Sequence, residues 1–287
     1  MDFRNIPVRV TGPGSQPDAE ADAPEYIDMP RDMSRYDAPL VPEPDAVQHL
    51  QGAREAMAWL QAALEAYSPG KDNACANLNA LDAENKELVN QILGEGENCV
   101  TVSGDVNASV QESVLAGVWR GLYYDDDNQI AVDTIEVGAV PQLVATPAKN
   151  ARPVDAAEDE QSATVPNAMP ILVELADRSM LFESDGTKHS INLTLLPLSL
   201  TELEYLDARL GRGPVDILSR AYGKCQVIST LVPNVWWIRF YNSMGTLILN
   251  SLEVSAVPDV VAAAPEDLAD SADRLSDILA PYWPDST

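Results

Sequence analysis

The stretch Thr134 to Val144, TIEVGAVPQLV, returns as Ser251 to Val261, SLEVSAVPDVV, and this repetition restricts the fold more than any other feature of the sequence. A true duplication holds one offset over a long run of residues. Here the offset is 117: Trp119 recurs as Trp236, Tyr124 as Tyr241, Glu136 as Glu253 and Pro141 as Pro258, and LGEG (Leu93 to Gly96) as LGRG (Leu210 to Gly213). No gap interrupts the run from the glycines to the prolines. With 287 residues the chain has room for two units of ordinary size, each able to bury a core.

The hydrophobic periods say what the repeated unit is made of. Val47, Leu50, Met57, Leu60, Leu64 and Tyr67 fall at helical spacing, and a second helix is expected from about Asp82 to Leu93, stopped by Gly94. Strands are expected at NCVTVSG, SVQESVL, GVWRGLYY and IAVDTIEV, the last two joined by the polar turn DDDN. The order recurs: helices at about Ala168 to Phe182 and Thr201 to Leu210, and strands at HSINLTL, VDILSR, CQVIST, NVWWIRFY and TLILNSLEV. The expected fold is therefore α+β, two tandem copies of a helix plus antiparallel-strand unit, each ending in a short helix at the Pro of AVP. By composition, residues 1–44 read as an extended or disordered acidic arm, 45–145 as the first copy, 146–166 as a polar linker, and 167–287 as the second copy with an acidic C-terminal helix near Pro265 to Leu279.

The formal net charge is -27. Attraction to phosphate backbones or anionic lipid is disfavoured, so neither nucleic acid nor membrane insertion is expected. The chain shows no run of membrane-spanning length and no apolar secretion-signal core near Met1, and a cytoplasmic location is the expectation. Cys75, Cys99 and Cys225 are far apart and lack CxxC spacing, which suits a reducing compartment.

Alternation along VWWIRFY puts Trp236, Ile238 and Phe240 on one face and Val235, Trp237, Arg239 and Tyr241 on the other. Trp119 and Trp236 are expected in equivalent core positions, while Glu136 and Glu253 are expected to accept bonds from the N-terminal amides of the short helices that begin around Pro141 and Pro258. The opposite face differs between copies: Trp237 stands for Arg120 and Arg239 for Leu122. Adjacent Trp and Arg are residue types of a binding hot spot, which makes Trp237, Arg239 and Tyr241 the candidate client-binding residues. The alternative is a second buried face with a snorkelling Arg.

Chemistry is sparse. His49 and His189 lack ligand spacing, and there is no P-loop, no GxGxxG after a strand and no GxSxG, so no catalytic, metal-binding or cofactor-binding residue is nominated and no cofactor is expected.

The motifs VRVTGPGSQP, MPRDM and LVPEP in the arm, with LGRGPVDILSR, VPNVWWIRFYNSMGTLI and LEVSAVPDVVAAAPEDL in the second copy, resemble the nickel–iron (NiFe) hydrogenase expression/formation proteins of the HupH/HyaF/HoxQ type. The resemblance implies a non-enzymatic cytoplasmic maturation factor or chaperone. Its implied client is the precursor of the iron–sulfur small subunit before twin-arginine export, its implied partner a thioredoxin-like chaperone, and protection of the subunit in oxygen a further implied role. Two other classes compete: a scaffold that joins maturation proteins without touching the client, and an iron–sulfur or redox carrier, which the scattered cysteines oppose.

Overall fold

The computed structural model describes residues 42–146, 151–157, 159–220 and 224–283. The expected arm, up to residue 41, lies outside the described residues. The duplication appears as matched elements. The first copy contains α1 (Pro44–Val47), α2 (Gln51–Ala66), β1 (Ala74–Asn77), α3 (Ala83–Leu93), β2 (Asn98–Val102), β3 (Asn107–Glu112), β4 (Val118–Tyr124) and β5 (Ile130–Val137). The second contains α4 (Ala168–Asp185), β6 (His189–Asn192), α5 (Leu200–Leu210), β7 (Arg212–Ser219), β8 (Lys224–Thr230), β9 (Val235–Tyr241) and β10 (Leu247–Val254), and α6 (Pro265–Leu279) follows. The pairs α3 and α5, β4 and β9, and β5 and β10 each begin and end 117 residues apart.

Local chemistry sets the helix ends. The Asp82 carboxylate accepts from the Asn85 N–H at the start of α3, and Ser199 with Glu202 forms a capping box on α5. Both helices stop at a glycine of positive φ, Gly94 and Gly211. The short helix expected at the Pro of AVP is a 3-10 helix in both copies, Gln142–Ala145 after Pro141 and Asp259–Val261 after Pro258.

The ten strands among the described residues form one antiparallel sheet in the order β1-β5-β4-β3-β2-β7-β8-β9-β10-β6. The copies meet edge to edge at β2 and β7, with Val100 opposite Ile217, so the strand order reads the same outward from this seam in both directions. On one face a single apolar cluster runs through both copies, including Trp119, Val100, Ile217 and Trp236. The other face carries two separate clusters, one under α2 and α3 and one under α4 and α5. Neither includes a residue of β2, β3 or β7, so the helical layer is divided above the seam.

The segments that follow each copy cross over. Helix α6 follows the second copy in sequence yet packs on the first, where Leu268, Leu275 and Leu279 join Met57 and Leu60 in one cluster. Each leucine fully buried is worth about 1.5–3 kcal/mol. The crossing is tied by Ala263 N–H to Ala139 O (2.9 Å), Gln61 Nε2 to Ala272 O (3.1 Å) and Ser271 Oγ to Ala116 O (3.1 Å). Reciprocally, the stretch read as a linker runs along the second copy. Arg152 N–H donates to Leu231 O (2.9 Å), its guanidinium donates to Arg209 O (3.0 Å), and Val154 and Ala156 pack against the second copy's core. Among the described residues no helix is long and apolar enough to cross a membrane.

Candidate functional site

Trp119 and Trp236 lie buried on the shared face, and each faces the carboxylate-bearing partner of its own copy in register, Glu136 and Glu253. Glu136 Oε1 accepts from the Gln142 N–H of the following turn (2.7 Å) and from Asn73 Nδ2 (2.6 Å). Glu253 Oε1 accepts instead from the Ser255 hydroxyl (2.7 Å), so the two glutamates do different work within one scaffold position. Pro141 and Pro258 are buried at the starts of their turns.

On the helix side, the copies present two equivalent grooves of opposite character, each at the edge of a helix where the strand residues are left uncovered. The first, of about 460 Å³, lies between α3 and β4–β5 and is lined by Lys86, Asn90, Arg120, Leu122, Ile130 and Asp133. The second, of about 550 Å³, lies between α5 and β8–β10, where the residues 117 positions on are Leu203, Asp207, Trp237, Arg239, Leu247 and Asn250.

The first groove is electrostatically closed. Asp133, with a side chain 5% exposed, bonds Arg120 Nη1 and pairs with Lys86 Nζ at 3.3 Å. Arg120 also donates to Thr134 O (3.0 Å) and Asn90 Oδ1 (3.1 Å). Burial alone would push the Asp133 carboxyl up, but the bonds from Arg120 and Lys86 outweigh it and hold the group below the ordinary carboxylate value.

In the second groove the same cross-strand bond is neutral: Trp237 Nε1 donates to Asn250 Oδ1 at 2.5 Å. Trp237 is 4% exposed and belongs to the second copy's core, so its indole forms the floor of the groove and does not project from the surface. The Arg239 guanidinium lies over that ring, 4.7 Å from its centroid, and Lys224 Nζ lies 5.9 Å from the ring centroid of half-buried Tyr241. The buried face and the candidate binding face are thus one surface, covered by α5 at one end and open at the other. Sequence reading missed Asn250 and Lys224. The β8–β9 register, which sets Lys224 opposite Tyr241, was the signal that could have found the lysine.

The three thiols lie on separate strands: Cys75 is exposed on edge strand β1, Cys99 half-buried on β2, and Cys225 buried on β8. Burial pushes the Cys225 thiol up to about 11. Among the described residues no group of three or more His, Cys, Asp or Glu side chains is placed to hold a metal ion.

The architecture defines a class, a duplicated α+β unit fused through one sheet, with one sealed and one open groove. The conserved C-terminal region of the HupH hydrogenase expression proteins matches this chain twice, at residues 50–160 and 165–282. The chain belongs to that family. It is 40% identical over 277 residues to the hydrogenase expression/formation protein HoxQ of Cupriavidus necator, covering 96% of both chains. It is 39% identical to HupH of Rhodobacter capsulatus over 93% of this chain and 94% of that one, and 30% identical to the hydrogenase-1 operon protein HyaF of Escherichia coli over 93% of each. A solved structure of the hydrogenase expression protein HupH from Thiobacillus denitrificans is 33% identical, covering 40% of this chain and 95% of that one with a TM-score of 0.38.

Proposed function

We propose that this chain is a non-catalytic hydrogenase maturation factor that acts in the cytoplasm as a chaperone for the iron–sulfur small-subunit precursor of a NiFe hydrogenase, before twin-arginine export and beside a thioredoxin-like partner, shielding the subunit in oxygen. The observation that carries the reading is the end-to-end similarity to relatives named as hydrogenase expression/formation proteins, which leaves almost no part of either chain unmatched. Physical chemistry supports the choice of client. A net charge of -27 speeds encounter with a basic, twin-arginine leader. Charge attraction at the surface is screened by salt, so holding requires desolvated contacts, and the open groove over Trp237 offers them.

The test is co-purification of the full-length chain with the small-subunit precursor in cells lacking the thioredoxin-like partner. Recovery of the precursor is the expected result. Recovery of other maturation proteins without the precursor would replace the chaperone reading with the scaffold one.

A further inference from the structure

The open groove has a charge pattern that its sealed twin lacks. Lys86 and Arg120 in the first groove, and Arg212 in the second, each pair with a carboxylate. Arg239 in the second groove and exposed Lys224 at its margin, opposite the lining Tyr241, do not: among the described residues their charged ends meet the faces of Trp237 and Tyr241. In a chain with 45 acidic and 18 basic side chains, these two neighbouring cations are open to a carboxylate from outside. They lie on adjacent strands and on one face of the sheet, since Gln226, two residues from Lys224, pairs with Arg239. Beside them the groove is of mixed character, with apolar Leu203, Ala208, Ile228 and Leu247 around the Trp237 floor and polar Ser229 and Thr230 in its lining.

We propose that the groove between α5 and β8–β10 binds an extended segment of a partner protein in which an apolar side chain lies next to a carboxylate. The apolar group packs on Leu203, Ile228 and Leu247, and the carboxylate bridges Arg239 and Lys224. The two cations stay on their aromatic faces, where they are already ordered, so little side-chain freedom is lost on binding. Exposed Glu204 and Asp207 on the α5 wall repel a carboxylate from that side, which fixes the ligand's orientation across the groove. The first copy offers no equivalent site, because Asp133 already occupies its Arg120 and Lys86. The inference goes beyond the hydrogenase reading and does not depend on which protein is the client.

Fluorescence anisotropy with the full-length chain and short labelled peptides tests it. One peptide carries an internal Phe-Glu with an amidated C-terminus, matched peptides carry Phe-Gln or Phe-Lys, and a fourth ends in Phe with a free carboxylate. The Phe-Glu peptide, or the one with the free carboxylate if the terminus is the natural source, should bind about tenfold or more tighter than Phe-Gln and Phe-Lys. Arg239→Gln and, independently, the exposed Lys224→Gln should each remove most of that preference, while Lys86→Gln in the sealed groove leaves it intact. Equal binding of Phe-Glu and Phe-Lys, no binding of any peptide, or a preference that survives both Arg239→Gln and Lys224→Gln overturns the proposal.

Discussion

Trp119 and Trp236 make the same hydrogen bond in the two copies: each indole Nε1 donates to the backbone carbonyl 19 residues further on, Gly138 O at 2.8 Å and Ser255 O at 3.0 Å. Each bond ties the start of one hairpin strand to the end of the next, and both rings feed the apolar cluster that spans the seam. Trp119→Ala and Trp236→Ala should therefore each destabilise the whole sheet, by about 3–5 kcal/mol. Urea unfolding checks this. A variant that loses one copy's signal while the other copy melts unchanged would show the two to be uncoupled.

Gly117 and Asn234 are equivalent positions with left-handed backbone, φ 75° and 61°. Asparagine tolerates the conformation, so φ alone does not demand glycine at Gly117. Helix α6 does: a Cβ at Gly117 would collide with the Leu268 side chain. Gly117→Asn should cost about 1–3 kcal/mol through overpacking. Part of that loss should return in the Gly117→Asn, Leu268→Ala double variant, measured in a double-mutant cycle.

The Asp133 carboxylate, held below its ordinary value by Arg120 and Lys86, contributes stability that is complete above the unfolded-state value of about 4 and is lost as pH falls through the lower folded-state value. Asp133→Asn should flatten the acid limb of the stability curve below about pH 4. It should also cost about 3–5 kcal/mol at neutral pH, because Arg120, with a side chain 13% exposed, loses its charge partner. Thermal melts from acid to neutral pH separate the two effects.

Thiol chemistry should order itself by burial. Exposed Cys75 should react first with a thiol reagent in the native protein, half-buried Cys99 more slowly, and Cys225, raised to about 11, only on unfolding. Timed labelling followed by peptide mass analysis reads the order. Prompt reaction of Cys225 would show that the β8 face opens in the native state.

Much of this architecture is legible in the residues. The 117-residue offset survives because the strand alternation of GVWRGLYY and NVWWIRFY is local, and the same periods specify the two faces. Edge strand β1 is not legible, since ACAN has neither β-branched nor aromatic residues and is a strand through its pairing with β5. The crossing of α6 is hidden for another reason: its apolar stripe shows that one side must be buried, not which copy buries it. The groove escaped because it depends on where α5 stops covering the sheet, a tertiary fact that no pattern within NVWWIRFY encodes.

The exchanged segments also decide how this chain can be divided. A cut near residues 160–165, between the two matched regions, leaves the first piece without α6 over Met57 and Leu60, and the second without the Arg152 strap along Leu231. Each fragment carries the other's lid. Produced together, the fragments should complement one another as a split protein whose reassembly reports on their meeting; produced apart, each exposes an apolar surface that its own sequence cannot cover.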